Sequence, residues 1–248
     1  MRFDFTDEEW AELEPLMPQK RKDARVDDRK IMNAIFFILR TGSPWRDMPD
    51  HYGPYTTAYN RFNRWSRRGV WKAIFDKLAA KSRDSLHLID STIVKAHRAA
   101  SGAKGGKQNQ AIGVSRGGRS TKIHATVDGK GRPLNFALTG GNVHDSQAVE
   151  AVLETPREPL AVTADKAYDS EAVRQHIKDG GALPAIPSRR NARKKAWCPK
   201  RIYRLRHKIE NYFCRIKDWR RIATRYDKLA RNFLSANQMV GALYWIKL

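Results

Sequence analysis

A change of hydrophobic period near residue 85 restricts this chain more than any other feature. Before it, apolar residues recur every three or four positions, as at Ile31, Ile35 and Ile38 and again at Tyr55, Tyr59, Phe62 and Trp65. That spacing belongs to helices with one buried stripe. After it, short runs sit between turn signals as strands do: LHLID (86–90), TKIHATVD (121–128), RPLNFALT (132–139), LAVTAD (160–165) and ALPAIP (182–187). Helical stretches at 144–154 and 169–181 separate the later strands, and a long helix closes the chain. The order predicts an α/β (α+β) fold, a mixed sheet flanked by helices, preceded by an all-helical unit. The expected boundary divides a helical domain, 1–84, from a sheet domain, 85–248.

Punctuation locates the helices. TDEE (6–9) fits a capping box, and the stripe of Trp10, Leu13 and Met17 stops at Pro18. RKDARVDDRK (21–30) is a polar connector. The second helix ends at TGSP (41–44), the third is bracketed by Pro54 and Gly69, and a fourth is expected from Val70 to about Arg83. Asp145 or Ser146 should cap the helix after GNV. LHLID and LAVTAD each end in an aspartate, Asp90 and Asp165, which places both at strand ends, where ligands gather on such sheets. The glycine-rich stretch 100–120 reads as a mobile basic loop; it contains no phosphate-binding G-x4-G-K-[S/T] arrangement.

The charge biases the chain towards a polyanionic partner. A formal net charge of +22 says little about fold but much about association. The third helix separates its residues accordingly, with aromatic side chains on one side and Arg61, Arg64 and Arg68 on roughly the other. Such a helix can dock on DNA phosphates; a merely solvated amphipathic helix is the alternative. The apolar run AIFFIL (34–39) is too short to span a bilayer, and the acidic start MRFDFTDEEW does not read as a signal peptide. Two cysteines, Cys198 and Cys214, form neither a zinc pattern nor a disulfide framework. A soluble, cytoplasmic protein is expected.

Glu210 stands out in YRLRHKIENYFCRIK (203–217). Between residues 189 and 228, 16 of 40 positions are Lys or Arg and three are acidic. At about 100° per residue, Tyr203, Arg206, Glu210 and Lys217 share one helical face. A helix that only held phosphates would have no use for a carboxylate there. Asp90, Asp165 and Glu210 from separate elements could hold two hard divalent cations for phosphodiester cleavage. Equally, the aspartates could be strand-end caps and Glu210 an ion-pair partner of Arg206 or Lys217. Lys166, next to Asp165, is either a phosphate contact or a solvated lysine. His144 could approach such a site or lie on the surface; His97 and His124 read as structural.

The spacing Y-x2-R-x3-E-x6-K at Tyr203, Arg206, Glu210 and Lys217 is similar to the signature of bacterial insertion-sequence transposases of the DDE type, most of all the group around insertion sequence five. LIDSTIVKAHR (88–98), GNVHDS (141–146), TADKAYDS (163–170) and ILRTGSPWRDMP (38–49) resemble the other blocks of that family, in the same order. The resemblance implies a ribonuclease-H-like catalytic domain in which Asp90, Asp165 and Glu210 bind two Mg²⁺ ions, with Mn²⁺ as a substitute. It implies that Arg206, Tyr203 and Lys217 hold DNA phosphates. Water would attack at the element's end, and the freed 3′-hydroxyl would then attack target DNA. The implied partners are double-stranded DNA and further copies of the chain, a homodimer or larger, on the nucleoid. Some relatives insert a β-rich segment before the glutamate helix. Only SRRNARKKAWCPKR (188–201) stands there, which puts a hairpinned intermediate in doubt. Its Trp197 reads as a buried structural residue, with stacking on an unpaired base as the alternative. A nuclease without strand transfer and a transposase-derived DNA-binding regulator remain as alternative functions.

Overall fold

The computed structural model describes residues 4–19, 27–192 and 194–246. Most of the polar connector at 21–30 lies outside the described residues. Helix α1 (Asp7–Leu13) opens on the predicted capping box: Thr6 Oγ1 accepts from Glu9 N at 3.2 Å and Glu9 Oε2 from Thr6 N at 3.1 Å. Pro15 tightens the next turn, and Met17 packs partly buried beyond it. Helix α2 (Asp28–Thr41) stops at Gly42, whose φ of 75° suits a residue without Cβ. A Cβ there would also meet that of Arg220 at 3.0 Å. Helices α3 (Tyr55–Arg67) and α4 (Val70–Ala79) follow, the latter shorter than expected.

The sheet contains β1 (Leu86–Ala96), β2 (Gly113–Ser115), β3 (Gly118–Asp128), β4 (Pro133–Gly140), β5 (Ala161–Thr163), β6 (Leu183–Ala185) and β7 (Thr224–Arg225). Helix α5 (Gly106–Asn109) precedes β2. Helix α6 (Val149–Leu153) leads to β5, and α7 (Glu171–Asp179) connects β5 to β6. The C-terminal part holds α8 (Lys200–Tyr203), α9 (His207–Lys217), α10 (Arg220–Ala223) and α11 (Ala230–Ile246). Strand β3 pairs antiparallel with β1 on one side and with β4 and β2 on the other. Strands β1, β5 and β6 are parallel, which requires crossover segments such as α7. Three antiparallel strands followed by two parallel ones make the mixed, ribonuclease-H-like sheet that the sequence led us to expect.

The faces of the sheet carry separate cores. Leu88, Ile123, Ala125, Val127 and Phe136 belong to a cluster that continues through α4, α9 and α11 into α1, α2 and α3. The N-terminal helices and this face of the sheet therefore share one core. Helix α11 is buried for most of its length, as a helix apolar on nearly all sides must be. It approaches the sheet closely at Gly241, where a Cβ would lie 2.8 Å from the Phe136 ring. The opposite face buries Ile89, Val162, Ala164 and Tyr168 under α6 and α7.

Four local expectations change. Strand β1 runs six residues past Asp90, because the segment 91–95 pairs with β3 and the strand's end pairs with β7. The stretch 100–120 is built around α5 and β2, anchored by Ile112 beside Ala96 and Ala100. The turn after GNV is capped by His144, whose Nδ1 accepts from Ser146 N at 3.3 Å, and not by Asp145 or Ser146. Tyr203 to Lys217 is not one helix: a 3-10 turn at Arg204–Arg206 separates α8 from α9. Among the described residues no helix is long and apolar enough to cross a membrane.

Candidate active site

Register brings the two aspartates together. Parallel pairing matches Leu86 with Ala161, His87 with Val162 and Leu88 with Thr163. Two residues further on, the same register sets Asp90 beside Asp165. Side chains alternate along a strand, so Asp90 points to the Leu88 face, the side that α9 covers. On α9, Ile209, Tyr212, Phe213 and Ile216 are buried in that core, and Glu210 stays at the exposed edge. Asp165 caps the 3-10 turn Lys166–Tyr168, accepting from Ala167 N at 2.8 Å. It is thus a cap as well as a neighbour of Asp90.

Arg206 links the carboxylates. One guanidinium nitrogen donates to Asp90 Oδ2 at 2.7 Å and the other to Glu210 Oε1. Asp90 Oδ1 accepts from Ser91 N at 2.8 Å. Burial pushes the Asp90 carboxyl up to about 6. Ser91 N–H and Arg206 oppose that rise, and the negative charges of Asp165 and Glu210 add to it. For Arg206 burial works against the charged form, but Asp90, Glu210 and then Tyr203 outweigh it and raise the guanidinium's pKa. Among the described residues no three His, Cys, Asp or Glu side chains stand close enough to hold a metal ion. A side-chain cation lies between two of the three carboxylates. The donors fit Mg²⁺ or Mn²⁺ in kind, since all are carboxylate oxygens, and a partly buried Asp90 crowded by two further anions favours a cation beside it.

The other expected residues divide. Tyr203 lies close enough to act on Arg206, while Lys166 and Lys217 are exposed. On α3 and at its C-cap, Arg64 and Arg68 are exposed together with Arg67. Arg61 departs from that face. Its guanidinium pairs with buried Asp28 and lies 4.9 Å from the Trp65 ring centre, because a buried carboxylate demands a partner. Tyr59, assigned to the buried aromatic side, is 42% exposed, whereas Phe62 and Trp65 are buried. Trp197 is 71% exposed, which rules out the buried structural reading. Cys198 and Cys214 are free.

Behind β1, on the face opposite Asp90, stands a second polar group that the sequence reading missed. Ser91 Oγ donates to Asp145 Oδ1 at 2.9 Å, and Lys122 Nζ reaches the same oxygen at 2.7 Å and Val143 O at 2.7 Å. Ser91 and Lys122 fall on that face because Ser91 pairs with His124, and Ile93 with Lys122, across β1 and β3. Burial drives His124 down to about 4, so it is neutral, and its Nε2 meets Thr139 Oγ1 at 2.8 Å. Tyr168 is buried nearby, its hydroxyl pKa raised by burial and by Asp145, Asp90 and Asp165. The GNVHDS block carried the signal for Asp145, but only strand pairing shows where it points.

A family described as "Transposase DDE domain" matches residues 81–245, and one described as "Putative transposase of IS4/5 family" matches residues 5–75. The "Putative transposase for insertion sequence element IS6501" of Brucella ovis is 31% identical over 132 residues, 52% of this chain and 99% of the relative. Protein y4sN of Sinorhizobium fredii is 32% identical over 118 residues, 45% of this chain and 94% of the relative. Among solved structures, the piggyBac transposase synaptic complex with hairpin DNA aligns at a TM-score of 0.40 and 14% identity, over 75% of this chain and 47% of that one. The Mos1 transposase paired-end complex aligns at 0.29 and 12%, over 82% of each chain. The two family matches together span nearly all of the sequence, and the chain belongs to the DDE transposases of insertion sequences.

Proposed function

We propose that this chain binds the terminal inverted repeats of its own insertion sequence, cuts the DNA there and joins the freed end to target DNA. The observation that carries the proposal is Arg206, which bridges Asp90 of β1 and Glu210 of α9, with Asp165 beside Asp90 just past the end of the parallel neighbour strand. Asp90, Asp165 and Glu210 would hold two divalent cations, Mg²⁺ or Mn²⁺. When bound, such ions activate an attacking oxygen and stabilise the leaving one. The protein's own contribution is position and charge. Arg206 and Tyr203 at the site, together with the exposed Lys166 and Lys217, hold phosphate oxygens in line. Arg64, Arg67 and Arg68 on α3 neutralise duplex phosphates away from the cut. Ser91, Lys122 and Asp145 brace β1 from behind, so that Asp90 keeps its place.

In this reading the helical unit, 1–84, docks the element's end and the sheet unit, 85–248, performs the chemistry. Their shared core holds docking and cutting in a fixed relation. Joining two ends requires at least two copies of the chain on DNA. The test compares wild type with Asp165→Asn, incubated with Mg²⁺ and DNA carrying the gene's flanking ends. Cleavage at the element boundary followed by joining, by wild type alone, is the expected result. If both proteins shift the DNA and neither cuts it, the catalytic reading fails.

A further inference from the structure

An open cleft of ≈ 1020 Å³ lies between the helical unit and the C-terminal segment, away from the carboxylates. One wall is Trp45 and Tyr59, with ring centres 5.5 Å apart and edge to face. The other includes Tyr226. Arg221 lies between the walls, 5.7 Å from the Trp45 ring centre and 5.6 Å from that of Tyr226. Exposed Arg46, Lys104, Lys228 and Arg231 surround the opening. The one acidic residue in the lining, Asp227, is buried and 3.8 Å from Arg221 Nε.

Each feature asks for a different part of one ligand. The exposed Tyr59 ring beside the partly exposed Trp45 and Tyr226 suits a planar ring, and a rim of cations suits phosphates. An unstacked nucleotide presents both, whereas a base-paired duplex hides its ring faces. Position agrees with this. Strand β1 leads from Asp90 to Ala96, and Ala99 lines the cleft. Six residues of strand span about 20 Å, the length of roughly six nucleotides.

We propose that this cleft binds an unstacked nucleotide in a single-stranded stretch of the same DNA, its base against Trp45, Tyr59 and Tyr226 and its phosphates against Arg46, Lys228 and Arg231. The proposal rests on the DNA-transposing reading above, but its test involves no cleavage. Full-length protein without metal is titrated into two fluorescein-labelled probes, a ten-nucleotide thymidine strand with one central 2-aminopurine and a twenty-base-pair duplex. Wild type should bind the strand and quench the 2-aminopurine. Tyr59→Ala should bind the strand about tenfold more weakly and lose the quenching, while duplex affinity stays within about twofold. Tyr59→Phe, which keeps the ring, should behave as wild type. Unchanged strand binding by Tyr59→Ala, equal losses on strand and duplex, or failure of Tyr59→Phe alongside the alanine variant would each overturn the proposal. If the strand result holds while the wild type never cuts its element ends, the transposase reading falls alone. If cutting is seen and the strand result fails, the cleft proposal falls alone.

Discussion

Arg206 and Arg225 lie nineteen positions apart in one basic stretch, and their surroundings give them opposite work. Arg225 is fully buried. It donates to Gln110 O at 2.7 Å, Thr121 Oγ1 at 2.8 Å, Asp227 O at 2.9 Å and two further carbonyls, those of Ala111 and Lys228. Burial lowers its pKa to about 10. Its partners are mostly neutral and come from the α5 turn, β3 and the start of α11, so the side chain ties three segments together. Arg206 is only partly buried and ends on two carboxylates of different elements. A guanidinium among carbonyls replaces missing backbone hydrogen bonds and serves the fold. A guanidinium among crowded carboxylates offsets a repulsion that serves chemistry.

The strongest way to break this contrast is Arg225→Gln. Removing the guanidinium leaves buried acceptors without donors, so stability should fall by about 3–5 kcal/mol, with Tm lower by roughly 10 °C. Calorimetry checks this, and a loss below 1 kcal/mol would show that Arg225 is not the tie described. Arg206→Gln should do the reverse. Cleavage of element ends should drop about 100-fold, which is about 2.7 kcal/mol, with Tm within roughly 2 °C of wild type. A large fall in Tm with normal cleavage per folded molecule would reverse the two assignments.

Asp90 sharpens the comparison, because it should oppose folding. Its carboxyl titrates at about 6 in the folded protein against an ordinary value of 3.8. A raised carboxyl pKa means that the folded state holds the proton more tightly. The contribution of Asp90 to stability is therefore greatest below pH 3.8 and is lost as pH rises from there to about 6. Asp90→Asn should then stabilise the metal-free protein at pH 7.5 by about 1–3 kcal/mol, an effect that disappears near pH 4. Thermal melts at the two pH values test it; a destabilised variant at pH 7.5 would mean that the Arg206 contact outweighs burial. On α3, Arg64→Ala should reduce the slope of log affinity against log salt for duplex DNA by about 1 and leave Tm unchanged. Arg61→Ala should instead lower Tm, since Asp28 would be left buried and without this guanidinium. The smallest effect is expected at Trp197, where substitution by Ser should change stability by less than about 0.5 kcal/mol.

Much of this molecule is written in local chemistry. The TDEE cap, the glycine after α2 and the Pro54–Gly69 bracket need only neighbours in sequence to form, and they form where the sequence indicates. The aspartate after LAVTA is equally local, because its side chain caps the turn that follows it. What sequence alone left undecided depends on partners far along the chain. Strand β1 continues beyond Asp90 because β3 and β7 supply hydrogen bonds that no pattern within STIVKA announces. Arg61 turns inward because Asp28, 33 positions away, is buried beneath it. Asp145 braces the back of β1 through Ser91, 54 positions away, and Arg206 reaches Asp90 across 116. Caps, turns and stripes are set by atoms within a few residues. The direction of a charged side chain is set by whichever opposite charge folding buries beside it, and only the assembled core decides which that is.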